Sequence, residues 1–306
     1  MQMESRMIRR GAIGAVASVL ISSMVLGGCG SYKKASIDYH FGLHGAPTEA
    51  QQASSSHATR TYRALIVQAS QRFASAAGKL QDAAHRGDID EAQRQWAIAQ
   101  ASYNMVRGEI AAHSTTELMI AGRLQDQPFF IGRTGLHAIE QDLFTNDHHS
   151  LITDAESLAG QGTLLEIGLL RTVRTPSRIM TTATQSLGWV INDVIANPQE
   201  PYAQQNLLDV SATISMVHQA LEAVAPLALD IAPGHLRTAQ QRLAALEETL
   251  RQATTKQIDG DINITPNSAV PATTWRLLAV QLTALLSPLT QLGGDMDGFG
   301  TGRTYA

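Results

Sequence analysis

The sequence predicts an all-α protein, and three observations predict it. The chain is rich in Ala, Leu and Gln and only 5% aromatic, a composition that favours helix over sheet. Its apolar residues recur at alternating three- and four-residue spacings over most of its 306 positions. Its ten prolines fall nearly all where such a pattern starts or stops. A chain of this length suits one large domain or two small ones.

Residues 1–28 read as an export signal. Arg6, Arg9 and Arg10 form a basic end, and Gly11 to Leu26 is apolar but too short and Gly-rich for a comfortable spanning helix. Leu26-Gly27-Gly28-Cys29 then resembles a bacterial lipobox, which implies cleavage before Cys29 and lipidation of that residue. The expected location is the cell envelope, with the protein lipid-anchored to a membrane. Cys29 is the only cysteine, so no intramolecular disulfide forms. Removing the leader leaves 20 basic against 26 acidic residues, or −6. An acidic chain without a basic run is a poor partner for nucleic acid.

Residues 29–57 read as an acylated Cys followed by a flexible tether, with Ser, Gly, Ala and Gln dominant. Asp38, His40 and His44 lie within it and read as solvated linker residues. The helical pattern starts near Thr59 with Tyr62, Ile66, Phe73 and Leu80. Gly87-Asp88 breaks it, with Asp88 as N-cap and Glu91 three residues on. Ala92, Trp96, Ala99, Tyr103, Val106 and Ile110 continue the spacing, so the first two helices form an antiparallel hairpin. A third helix runs from about Thr116 to Leu124, and Asp126-Gln127-Pro128 ends it. A helix beginning at Gly135-Leu136 completes a four-helix unit over about 58–146.

Asn146 to Ser150 is a polar break, and its His148 and His149 read as loop residues. Helices follow over about 151–172, 176–196, 203–225, 233–257 and 272–292, making a second unit over 150–292. Thr175-Pro176 supplies an N-cap with Pro at the first helical position. Pro226 marks a helix end. Ile258 to Val270 is a loop whose Asp259, Asp261 and Asn263 have some calcium-loop chemistry without an EF-hand's spacing or terminal Glu. Residues 293–306 read as a flexible tail.

The chemistry centres on Gly135-Leu136-His137-Ala138-Ile139-Glu140. On a helix, His137 and Glu140 share one face, so an imidazole and a carboxylate converge beside the apolar Leu136, Leu143 and Phe144. That is half a site for a borderline or hard metal ion.

GLHAIEQDLF resembles the G-F-H-x-I-E motif of the imelysin-like family, of the EfeO/EfeM type found in bacterial iron uptake. Glu200, Tyr202 and Asp209 in QEPYAQQNLLDV, and Tyr103 with Val106, resemble two further family stretches. The matches fall in order across roughly residues 60–290. The resemblance implies two antiparallel four-helix bundles after a lipoprotein signal, with His137 and Glu140 binding iron or a related metal between helices. It also implies an iron permease and a peroxidase-type protein as partners.

Two acidic ligands of the family pattern fall here on Arg107 and Ala121. Glu109, off the apolar stripe of the second helix, does not simply replace them. Asp126, Glu200 and Asp209 remain as accessory candidates, with Asp209 read foremost as a buried hydrogen-bonding carboxylate. Tyr103 and Tyr202 read as core residues with bonded hydroxyls. Alternatively, Arg107 takes the place of a cation and pairs with Glu140.

Three functions follow from these residues. One is metal capture for a membrane transporter. Another is a scaffold or interaction protein whose metal site has decayed. The last is peptidase activity, which imelysins have been assigned. It is disfavoured because Ala138 and Gln141 stand where the zinc-protease signature needs Glu and His.

Overall fold

A computed structural model describes residues 47–110, 114–122, 133–145, 147–196 and 201–299. The leader, Cys29, Asp38, His40, His44, Arg123, Asp126 and Glu200 lie outside the described residues. Among the described residues there are nine α-helices and one two-stranded hairpin, so the all-α expectation holds.

Helix α1 spans Glu49–Arg86 and starts ten residues before the expected point. Residues 49–57 of the expected tether are therefore helical. The start signal is the capping box of Thr48 and Gln51, and nothing in the following Ser, Ala and Gln residues interrupts a helix. Gly87 closes α1 in the left-handed conformation (φ 68°), and Asp88 caps α2, Ile89–Val106. The two pack as the expected hairpin around Tyr62, Phe73, Leu80, Trp96 and Tyr103, all fully buried.

After α2, Arg107–Glu109 tightens into a 3-10 turn. Helices α3 (Thr115–Ala121) and α4 (Leu136–Phe144) follow, then α5 (Leu151–Leu170) and α6 (Pro176–Trp189). Val190–Ile195 continues α6 as a π-helical turn. Helix α7 runs Asn206–Ile231 straight through Pro226, a correction to the expected stop. Its neighbours Leu227 and Ala228 are fully buried, so packing outweighs the one lost amide bond. Helices α8 (Pro233–Ala253) and α9 (Ala272–Asp295) complete the set.

The helices around α1 come from both sides of the 146–150 break: α1 packs on α2, α5 and α7, and α2 also on α7. Further along, α6 and α8 pack on both α7 and α9. The expected 293–306 tail is corrected for residues 293–299. Helix α9 reaches Asp295, and Met296 and Phe299 are buried beyond it.

The helix expected over 233–257 stops at Ala253, and strands β1 (Gln257–Ile258) and β2 (Ile262–Asn263) form an antiparallel hairpin from its last expected residue into the expected loop. Its carboxylates are claimed by arginines of the first two helices. Arg72 donates two bonds to Asp261, each 2.9 Å, and Arg94 pairs with Asp259. Asp259 and Asp261 thus serve as docking points, while Asn263 bonds locally to Thr254 and Thr265.

Candidate functional site

Helix α4 carries the His137–Glu140 pair and is fixed from two sides. Toward α2, Trp96 Nε1 donates to the Leu136 carbonyl (3.0 Å) and Gln93 Nε2 to the Leu143 carbonyl (2.8 Å). Trp96 also meets the Phe144 ring edge-on at 5.3 Å. Toward α5, Arg133 donates to the Ala138 carbonyl (2.7 Å) and both oxygens of Asp142, and also pairs with Asp154. Burial pushes the Asp154 carboxyl up to about 6, opposed by Arg133 and reinforced by Asp142. Gly135 is needed where α4 begins. Its φ is 84°, and an added Cβ would lie 2.6 Å from the Ile120 carbonyl oxygen.

His137 and Glu140 do meet, as expected. The His137 Nδ1 to Glu140 Oε2 distance is 3.4 Å, with both side chains buried. Glu140 is completely enclosed, and its Oε1 accepts from two successive backbone amides, Tyr202 (3.0 Å) and Ala203 (2.9 Å). Those donors satisfy a carboxylate that would otherwise be costly to bury.

The pair is therefore asymmetric. With the Nδ1 proton directed at Glu140, Nε2 is the nitrogen with no bond among the described residues, and the carboxylate orients the ring behind it. Glu140 is spoken for on both oxygens. The one group this pair would offer a metal ion is the second imidazole nitrogen. Among the described residues no group of three His, Cys, Asp or Glu forms a complete cage. The accessory candidates Asp126 and Glu200 lie outside the described residues.

Arg107 does not pair with Glu140, which corrects the expected replacement. It pairs with Glu117 of α3 at 2.5 Å, and its guanidinium lies 4.0 Å from the Trp189 ring centroid. The short 3-10 turn beginning at Arg107 ends the regular α2 repeat on which its inward direction was projected. Ala121 is buried at the end of α3.

Asp209 is fully buried and accepts from Gln100 (2.9 Å) and Asn104, in keeping with a hydrogen-bonding carboxylate. Tyr103 is in the core, but its hydroxyl has no hydrogen-bond partner among the described residues. Burial raises its pKa. Tyr202 is exposed rather than core, and its contribution is the backbone amide on Glu140. His148 is a capping residue, with Nδ1 donating to the Asp142 carbonyl at 2.6 Å.

Sequence reasoning missed the most deeply buried ion pair among the described residues. Glu109 turns inward at the end of the 3-10 turn and meets Arg174 Nε at 3.0 Å. Arg174 also donates to the Leu169 and Thr172 carbonyls (3.0 Å each), capping the end of α5. Burial and the neighbouring Glu109 hold the Tyr62 phenol well above its ordinary range. A helical wheel extended past Val106 puts Glu109 on the wrong side, and only knowledge of the 3-10 turn would have placed it.

No protein-family model matches the chain, and no curated protein matches it.

Proposed function

We propose that this is a lipid-anchored envelope protein of imelysin-like type that captures iron or a related metal ion for a membrane transporter. The observation that carries the reading is the His137–Glu140 pair. A buried carboxylate, held by two backbone amides, aims an imidazole whose second nitrogen is left for a ligand. Metal-binding histidines are commonly backed by a carboxylate in this way. On this reading His137 contributes the ligand atom and Glu140 its orientation and negative charge. The remaining ligands are supplied by Asp126, Glu200 or a chelating anion that arrives with the metal. Release of the ion would follow protonation of the site or a redox change. A permease and a peroxidase-type protein are the partners this reading implies.

A two-bundle architecture is part of the same reading. Helix α1 packs on α2, α5 and α7, and α9 on α6 and α8, with α7 meeting both groups, so the grouping crosses the expected boundary at 146–150 and the buried residues run on as one cluster.

Isothermal titration of the leader-free chain with ferrous, ferric, zinc and cupric ions tests the site. Tight binding lost in His137→Ala and weakened in Glu140→Gln is the expected result. Absence of binding to every ion by the folded protein would overturn it.

A second reading is favoured by Arg107. Its ion pair with Glu117 and its seat on Trp189 make it a structural cation where the family pattern has an acid. The protein would then be a helical scaffold with a degenerate metal site. Titration separates the two readings, since a scaffold binds no metal at His137.

A further inference from the structure

Helix α5 buries one face, and among the described residues no helix packs on the opposite one. Leu151, Ala155, Leu158, Gly162, Leu165 and Leu169 point inward. On the outer stripe stand Gly160, Thr163, Leu164 (61% exposed) and Ile167 (47% exposed). The outer residues keep a three- and four-residue spacing, as a helix-packing seam does. An added Cβ at Gly160 would meet nothing, so another backbone can approach there.

The stripe is bounded by opposite charges. Glu156 opens it and Arg171 closes it, both on the exposed side. The one charged residue between them, Glu166, is turned toward α1 and accepts from Gln71 at 3.1 Å. Glu156 contacts His85 through Oε1 (3.1 Å) while about half of its side chain stays open (49%).

This pattern is complementary to itself when reversed. Place a second α5 antiparallel to the first, with a two-fold axis between Thr163 and Leu164. Glu156 of each copy then faces Arg171 of the other, Ile167 faces the gap at Gly160, and the two Leu164 side chains meet at the axis. The fifteen-residue separation of the charges spans ~22 Å, two separate ionic contacts flanking one apolar centre. A symmetric pairing of this kind uses one surface patch twice. We propose that the outer face of α5 is the contact by which two copies of this chain associate, antiparallel, into a dimer. A single helix pair is a small interface, so the affinity falls on the order of micromolar.

Sedimentation equilibrium of the full chain, in density-matched detergent, tests the proposal through charge reversal. Glu156→Arg alone and Arg171→Glu alone each weaken association about tenfold, because one substitution creates two like-charge contacts. Combining them restores it, because the pairs re-form with reversed sign. Leu164→Arg abolishes the dimer, whereas Val280→Arg, on an exposed apolar site of α9, leaves it intact. Thermal melts confirm that each variant is folded. A wild type that is monomeric at all concentrations overturns the proposal. So does a dimer that survives Leu164→Arg, one that Val280→Arg breaks, or a double reversal no better than the singles.

Discussion

Arg174 Nε lies 3.0 Å from Glu109 Oε2, and neither side chain has meaningful contact with solvent. The pair joins the end of the first helical hairpin to the last turn of α5, whose carbonyls Arg174 also caps. Breaking a buried pair leaves one charge stranded, which typically costs ~3–5 kcal/mol. Glu109→Gln and Arg174→Met should each lower the unfolding free energy by about that much in urea titrations. The double variant should be less destabilised than the two singles combined, because neither charge then remains alone.

Glu140 anchors the turn at residues 201–203 whether or not a metal binds. Glu140→Ala removes the fully buried acceptor of two partly buried amides and should destabilise the fold by roughly 1–3 kcal/mol. Hydrogen exchange at the Tyr202 and Ala203 amides should accelerate in the same variant. His137→Ala, which leaves those amides paired, should leave their exchange near the wild-type rate.

The raised Asp154 carboxyl has a definite sign in pH. Its pKa of about 6 lies above the ordinary carboxylate range, so the folded state holds a proton that the unfolded chain has lost. Its contribution is most favourable below about pH 4 and declines as pH rises through about 6. Asp154→Asn lacks that component. The melting temperature of the variant relative to wild type should therefore move in the variant's favour from pH 4 to pH 7. A constant difference across that range would refute the assignment.

Gly135 admits no side chain. Gly135→Ala combines a left-handed backbone with a Cβ 2.6 Å from the Ile120 carbonyl oxygen, so α4 must shift. A loss of about 2–4 kcal/mol is expected, measured by chemical denaturation. The same substitution at Gly160, where a Cβ meets nothing, should stabilise the monomer by about 0.5–1 kcal/mol through helix propensity.

Much of this architecture was legible because the decisive signals were local. Gly87 and Asp88 mark the tip of the first hairpin, Thr175-Pro176 starts α6, and the 3,4 spacing of Tyr62, Ile66, Phe73 and Leu80 identifies a core face. The His137–Glu140 contact follows from helical spacing alone. What stayed hidden depends on partners far along the chain or on a change of helical repeat. Nothing near Glu140 announces that the Tyr202 and Ala203 amides will hold it. Arg107 and Glu109 could not be aimed without the 3-10 turn that contains them. The start of α1 was overlooked because its first turns are polar, so apolar periodicity is weakest where capping chemistry is strongest.

The docking of the β-hairpin onto the first two helices sets an order of events during folding. Arg72 and Asp261 are separated by 189 positions and Arg94 and Asp259 by 165. Neither clasp can close until nearly the whole chain is available, so a chain emerging from its N-terminal end must hold α1 and α2 without these contacts for much of its synthesis or passage. Non-local closure of this kind slows folding and prolongs exposure of apolar surface. The early hairpin is therefore the segment with the longest wait for its final neighbours.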